Sequence, residues 1–298
     1  MSAGRSAPAE GASGLVVVDK VGAMTSHDVV SRMRRLAGTR KVGHAGTLDP
    51  MATGVLLVGV NRATRLLGHL TLTEKAYDAT VRLGASTVTD DAEGDVLDTA
   101  GTAHLDEADV AGALRAFVGD IDQRPSSVSA VKVDGRRAYA RVRSGEQVDL
   151  PPRRVRVHEL VLVGSRREGE HLDVDVSVRC SSGTFVRAIA RDLGAALGVG
   201  GHLTALRRTA VGPFGLDDAH TLEALAEHLE LLDISAVARR CFASYDLDEE
   251  QARDVGYGRR LEVDLGADGP VAVFDPAGRF LALYEQRDVV AAPVAVFV

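Results

Sequence analysis

Two stretches of this chain alternate strictly between apolar and polar residues. Tyr77, Ala79, Val81 and Leu83 share one face of the first, and Leu172, Val174, Val176 and Val178 share one face of the second. A period of two over that length describes a half-buried strand, so the chain must build a sheet with one face against a core. Gly14–Asp19 and Val55–Val60 are continuous apolar runs and read as short buried strands, while Val155–Val163 is the expected partner of Leu172–Cys180. Between these runs the apolar spacing turns helical. Ser26 is placed to cap a helix over His27–Ala37, with Val29, Val30, Met33 and Leu36 on one face. Thr184 is placed to cap another, in which Phe185, Ile189, Leu193 and Leu197 recur; further helices are expected near 106–118 and over Glu223–Leu232. Gly-interrupted Lys41–Pro50 reads as loop, and acidic Thr87–Asp109 as an exposed loop. Several strands with a few helices give an α+β body. Aromatic residues are only 4% of the chain and tryptophan is absent, so aliphatic side chains must fill the core.

Past residue 240 the character changes to short strands divided by Gly, Asp and Pro: Leu261–Leu265, Val271–Phe274, Phe280–Tyr284 and Val294–Val298. The expected organisation is a disordered leader (1–13), a main body (14–235) and a small β-rich module (240–298). Met1–Ser13 has no apolar stretch of the kind a secretory signal needs, and no apolar run anywhere reaches the roughly 18 residues that span a membrane. Cys180 and Cys241 are far apart and lack metal-ligand spacing, which points to a reduced, cytoplasmic protein.

The net charge of −7 at first argues against a polyanionic partner. Residues 217–298 carry 17 acidic and 7 basic side chains, a balance of −10 that leaves residues 1–216 with an excess of 3 positive charges. That excess is gathered. Ser31–Val42 holds five basic residues (Arg32, Arg34, Arg35, Arg40, Lys41) and no acid, and Lys132–Arg156 holds eight against three. Local clusters of this kind, rather than the global sum, govern nucleic-acid binding.

The segment Gly43-His44-Ala45-Gly46-Thr47-Leu48-Asp49-Pro50-Met51-Ala52-Thr53-Gly54 lies between the first basic cluster and an apolar strand. Pro50 biases Asp49 towards an extended backbone, and the glycines permit close approaches that a Cβ would block. A carboxylate on a stiff loop beside a buried strand is positioned as catalysis requires. Leu-Asp-Pro is also a common turn, and these residues alone do not name a reaction.

The same twelve residues resemble the signature of the TruB-type tRNA pseudouridine synthases. Other blocks similar to that family follow in order: Asp19-Lys20 to Thr25-Ser26-His27, Lys75-Ala76-Tyr77, Thr87 to Gly94, Pro125 to Lys132 with Gly135, Arg136 and Tyr139, and Gly183-Thr184-Phe185-Val186-Arg187. The resemblance spans roughly residues 15–212. It implies a mixed, mostly antiparallel central sheet with flanking helices and a PUA-like C-terminal domain. It also implies a function, conversion of uridine to pseudouridine at position 55 in the T loop of tRNA by base flipping, and a partner, the tRNA T stem-loop. A monomer without cofactor or metal is expected. Asp49 matches the essential carboxylate, which either attacks C1′ or removes the 2′-proton. Arg187 matches the arginine that pairs with it, and Tyr77 the aromatic that stacks on the flipped base near C5. His44 matches a residue that fills the vacated space, Leu206 an apolar contact beneath the uracil, and Lys20 belongs to the N-terminal substrate-binding motif. Phe185 stands where the family usually has tyrosine, so a hydroxyl is absent there, and Val21-Gly22-Ala23-Met24 lacks the usual proline. Two other classes compete: a non-catalytic RNA-binding protein with Asp49 as a turn residue, and a nucleoside or glycoside hydrolase. The second usually needs two cooperating carboxylates, whereas the catalytic block offers one.

Overall fold

The computed structural model describes residues 11–71, 73–126 and 150–298, plus the backbone of two two-residue strands. The first apolar run forms β1 (Gly14–Lys20), followed by helix α1 (Ser26–Leu36), β2 (Val42–Ala45) and β3 (Thr53–Val60). Next come helix α2 (Leu67–Leu70), β4 (Lys75–Leu83), the small hairpin β5 (Ala85–Thr87) and β6 (Val96–Thr99), helix α3 (Glu107–Leu114) and β7 (Gly119–Gln123). Strands β8 (Lys132–Val133) and β9 (Arg136–Arg137) precede the long hairpin of β10 (Arg153–Glu168) and β11 (His171–Cys180). Helix α4 (Val186–Ala196), β12 (Gly201–Val211), β13 (Phe214–Gly215), α5 (Leu222–Glu227) and α6 (Ile234–Cys241) complete the body. The chain ends with β14 (Ala243–Asp246), α7 (Glu249–Gly256), β15 (Val271–Phe274), β16 (Phe280–Arg287) and β17 (Val290–Val296).

Nine strands form the central sheet, in the order β1-β3-β12-β4-β11-β10-β7, with β2 added to β3 and β13 to β12. Every pairing is antiparallel except β3 with β12, which run parallel through Thr53–Arg207 and Gly54–Arg208. The expected α+β class with a mostly antiparallel sheet is therefore observed. The apolar runs lie where both sheet faces are covered. In β1, Val16 and Val18 join the core under α1 and α4, whereas Leu15 and Val17 join a second core shared with Phe274, Phe280, Leu283 and Phe297 of the C-terminal strands. A strand buried on both sides has no polar face to show, which is why its sequence does not alternate. The alternating β4 and β11 lie further along the sheet, and their inward side chains point to one core only.

Several local expectations are corrected. Thr25, not Ser26, caps α1 through a capping box with Asp28, because the Ser26 side chain is turned inward. Thr184 does not cap α4: its hydroxyl bonds the Ser181 carbonyl, and Phe185 is the cap residue. Part of the expected loop Lys41–Pro50 is strand β2, since Val42 and Ala45 are buried and pair with Val60 and Leu57. Helix α5 stops at Glu227, and Leu232 instead bonds Leu15 in both directions. Leu261–Leu265 contributes one bridge to Ala291 rather than a strand. The acidic stretch after Thr87 is not uniformly exposed, for Asp90 and Asp91 are buried. Among the described residues no helix is long and apolar enough to cross a membrane. Most of the third resemblance block, from Ser127 to Tyr139, and residues 1–10 of the predicted leader lie outside the described residues.

Candidate active site

Strands β3, β12 and β4 meet at the centre of the sheet, and the loop between β2 and β3 crosses their ends. Two anchors hold that loop. The Ser26 hydroxyl donates to the Leu48 carbonyl (3.1 Å) and accepts from the Leu48 amide (2.9 Å), fixing the residue before Asp49 to α1. Lys20, fully buried at the end of β1, donates to the Pro50 carbonyl (3.2 Å) and to the carbonyls of Val21 and Met24. Burial pushes the Lys20 ammonium down to about 8, against the pull of nearby Asp49. Gly54, which follows, sits at φ +96°, and a Cβ there would stand 2.2 Å from the Arg208 carbonyl on β12. Only glycine allows the parallel pairing that draws β12 under the loop.

Asp49 thus presents its carboxylate from a backbone pinned on both sides, with its side chain 35% exposed. Arg187 grips it from the first turn of α4 with two bonds, Nε to Oδ2 at 3.0 Å and Nη2 to Oδ1 at 3.1 Å. This fork-to-carboxylate geometry fixes orientation as well as charge. The arginine is only 5% exposed, and a cation at a helix N-terminus faces the unfavourable end of the dipole. A second carboxylate offsets that. Asp91, 4% exposed, reaches Arg187 Nη1 at 3.2 Å, and the same nitrogen donates to the Thr89 carbonyl at 2.9 Å. Asp91 in turn accepts from the Thr89 hydroxyl and the Glu93 amide. Its carboxylate is spent inside the protein, so of the two carboxylates that hold Arg187 only Asp49 is open to a ligand.

A cavity of about 320 Å³ opens beside Asp49, walled by Tyr77, Phe185, Leu206, Lys75 and Arg208. Tyr77 projects from β4 and Leu206 from the adjacent β12. Burial raises the Tyr77 phenol above its ordinary value, and the neighbouring Arg208 guanidinium opposes part of that rise. Phe185 is held by Gln123 at the end of β7, whose side-chain amide accepts from the Phe185 amide (2.7 Å) and donates to its carbonyl (3.0 Å). Those two bonds fix the backbone of the cap residue, while no side chain caps the first turn itself. Of the residues predicted from sequence, Asp49, Arg187, Tyr77, Phe185 and Leu206 are brought together around this cavity. Lys20 lies behind the loop, and His44 sits on β2 opposite Val58, apart from the cavity lining. Reasoning from sequence did not single out Asp91, Gln123, Lys75 or Arg208. Lys75 lies in the quoted Lys75-Ala76-Tyr77 motif and Arg208 is two residues from Leu206, but only the sheet register turns them inward.

Family models match in three contiguous blocks. The N-terminal domain of TruB family pseudouridylate synthases matches residues 34–186, the C-terminal domain of tRNA pseudouridylate synthase B matches 187–241, and the C-terminal domain of tRNA pseudouridine synthase II matches 242–298. Similar curated proteins include the tRNA pseudouridine synthase B of Arthrobacter sp. (strain FB24), 57% identical with 96% of each chain covered. That of Thermobifida fusca (strain YX) is 56% identical, with 96% of this chain and 99% of the relative covered. Among solved structures, a Cbf5-Nop10-Gar1 complex aligns with a TM-score of 0.73 at 25% identity, over 96% of this chain and 85% of the other. An H/ACA ribonucleoprotein bound to a substrate RNA containing 2′-deoxyuridine aligns with a TM-score of 0.71 at 22% identity, over the same shares, and supports the fold.

Proposed function

The chain belongs to the TruB family of pseudouridylate synthases, and we propose that it isomerises uridine to pseudouridine in tRNA, at position 55 of the T loop, with Asp49 as the reacting carboxylate. The observation that carries this reading is the Asp49–Arg187 pair at the mouth of a cavity walled by aromatic and aliphatic side chains. Isomerisation breaks the C1′–N1 bond, forms C1′–C5 and moves one proton from C5 to N1. No atoms or electrons are gained or lost. The target uridine leaves the stacked loop at a cost of a few kcal/mol. Stacking on an aromatic ring returns about 1–3 kcal/mol, which Tyr77 and Phe185 are placed to supply. With the base in the cavity, Asp49 acts at the sugar, as nucleophile on C1′ or as base on the 2′-proton. Arg187 holds the carboxylate aimed with its two bonds, and Phe185 contributes contact without a hydroxyl.

The C-terminal module adds RNA contact through the exposed Arg259 and Arg260. Arg239 and Arg240, paired with Asp246 and Asp218, are less exposed (41% each) than Arg259 (64%), which likewise pairs with an acid, Asp254. Because the module shares a core with β1 and β3, substitution of Arg259 and Arg260 by alanine tests it better than deletion. Lower tRNA affinity with a shallower salt dependence is expected, and unchanged affinity would remove the module from the binding surface.

The main test uses tRNA transcript carrying tritium at uridine C5. Wild type should release tritium and form pseudouridine at position 55, while Asp49→Asn should bind the RNA without releasing tritium. Binding without release by the wild type would point to an RNA-binding protein instead, and free uracil would point to a hydrolase.

A further inference from the structure

The cavity contains two cations that the Asp49–Arg187 pair does not use. Lys75 on β4 and Arg208 on β12 are both buried, Arg208 to 1% exposure, and both line the cavity beside Tyr77. They converge on one turn of the loop: Arg208 Nη1 and Lys75 Cε each lie 3.4 Å from where a Cβ on Gly46 would stand. Backbone carbonyls are their main partners, and Arg208 also bonds the neutral Tyr77 phenol. Lys75 Nζ donates to Thr71 (2.9 Å) and Thr73 (3.0 Å), and Arg208 donates to Val55 (2.7 Å) and Gly46 (2.9 Å). Carbonyls satisfy hydrogen bonds but carry no net charge to neutralise a cation. These four bonds use two of three ammonium protons and two of five guanidinium protons. The nearby Cys180 provides no thiolate, because burial raises its thiol above the ordinary range. Burial, reinforced by Arg208, pushes the Lys75 ammonium down to about 8, so it is mostly charged at neutral pH. Among the described residues neither cation makes a salt bridge, so two like charges share a buried wall without a counter-ion.

The reaction proposed above, on which this inference rests, generates an anion in that space. When C1′–N1 breaks, the electron pair leaves with the base, and the detached uracil carries a negative charge spread over its nitrogens and oxygens. It must then turn until C5 faces C1′, bond there, lose the C5 proton and gain one at N1. A set of directional hydrogen bonds would hold the ring in its first orientation. Positive charge attracts the anion in any orientation and lets it turn.

We propose that Lys75 and Arg208 form an anion-holding wall that stabilises and retains the detached uracil between cleavage and reattachment. Preorganised positive groups in a water-poor site are worth far more than in solution.

Lys75→Gln is the informative variant, because an amide retains donors for the Thr71 and Thr73 carbonyls while removing the charge. Lys75→Arg retains the charge. Single-turnover consumption of the target N1-linked nucleoside is measured on two RNAs, one with uridine and one with 5-fluorouridine at the target. The fluorine stabilises the detached anion and, because C5 then has no proton to lose, loss of the starting nucleoside rather than pseudouridine is what is counted. The variant should lose about 10²-fold in rate on uridine, the scale of losing one oxyanion donor. It should lose several-fold less on 5-fluorouridine, and Lys75→Arg should recover most of the rate. Equal losses on both RNAs, or no loss on either, would overturn the inference. A second measurement needs no variant. Barbiturate, a planar pyrimidine that is anionic at neutral pH, should inhibit the wild type more strongly than neutral uracil, and equal or absent inhibition counts against the wall. If the wild type forms no pseudouridine at all, the proposed function fails. If it does and Lys75→Gln loses rate equally on both RNAs, only this inference fails.

Discussion

Asp49 and Asp91 both hold Arg187, yet their removal should have opposite consequences. Asp91→Asn takes a charge from a carboxylate that is 4% exposed and bonded to Arg187, the Thr89 hydroxyl and the Glu93 amide. The asparagine nitrogen would meet a donor wherever it pointed, and Arg187 would keep only the more exposed of its two counter-ions. Breaking a buried pair from one side costs about 3–5 kcal/mol, and the surviving Asp49 contact places this case near the lower figure, about 3 kcal/mol. Asp49→Asn removes a carboxylate with a 35% exposed side chain and leaves Arg187 paired to Asp91. Its cost to stability should stay near or below about 1 kcal/mol, as for partly solvated pairs. Urea unfolding of the two variants and the wild type, at one pH and salt concentration, gives the three stabilities directly. Tritium release from labelled tRNA gives the activities. Asp49→Asn should be stable and inactive. Asp91→Asn should be destabilised, with reduced residual activity because Arg187 is no longer braced from behind. An Asp91→Asn protein as stable as wild type would refute the claim that the buried carboxylate supports the arginine.

Three further outcomes follow from the geometry. Gly54→Ala should cost more than about 2 kcal/mol or prevent folding, since the backbone is left-handed there and the new Cβ would overlap the Arg208 carbonyl; thermal melting checks this. Gln123→Ala should lower stability by about 2 kcal/mol through loss of both bonds to the Phe185 backbone, and should weaken catalysis more than RNA binding. The Lys75 ammonium titrates at about 8 in the folded chain against 10.5 for the ordinary group, so the unfolded chain binds more protons between those values and stability rises with pH there. Wild type should therefore gain on Lys75→Met by up to about 3 kcal/mol between pH 7 and 10.5, measured as the difference of their urea unfolding free energies. A constant difference would place the lysine charge in solvent.

The periodicity of β4 and β11, the apolar runs of β1 and β3 and the helical spacing in α1 and α4 were all legible, because burial writes a repeating pattern into neighbouring residues. Boundaries and caps were less so. Ser26 and Thr184 have the chemistry of helix caps, but each is drawn away by a partner, Leu48 for one and Ser181 for the other. The acidic stretch looked solvated because an aspartate carries no mark of the distant arginine that will bury with it.

By itself the sequence determined the strand and helix types, the stiff glycine-bounded loop around Asp49 and, through ordered motifs, the family. These are properties of adjacent residues: their period, their permitted φ and their order along the chain. Tertiary structure alone decided that Arg187 answers to two carboxylates, that Lys20 serves the loop from behind and that Lys75 and Arg208 face the same cavity. Those contacts join residues far apart in the chain, and they depend on the register of β4 against β12 and on where α4 begins. Charge acts through space, so no local pattern could have announced it.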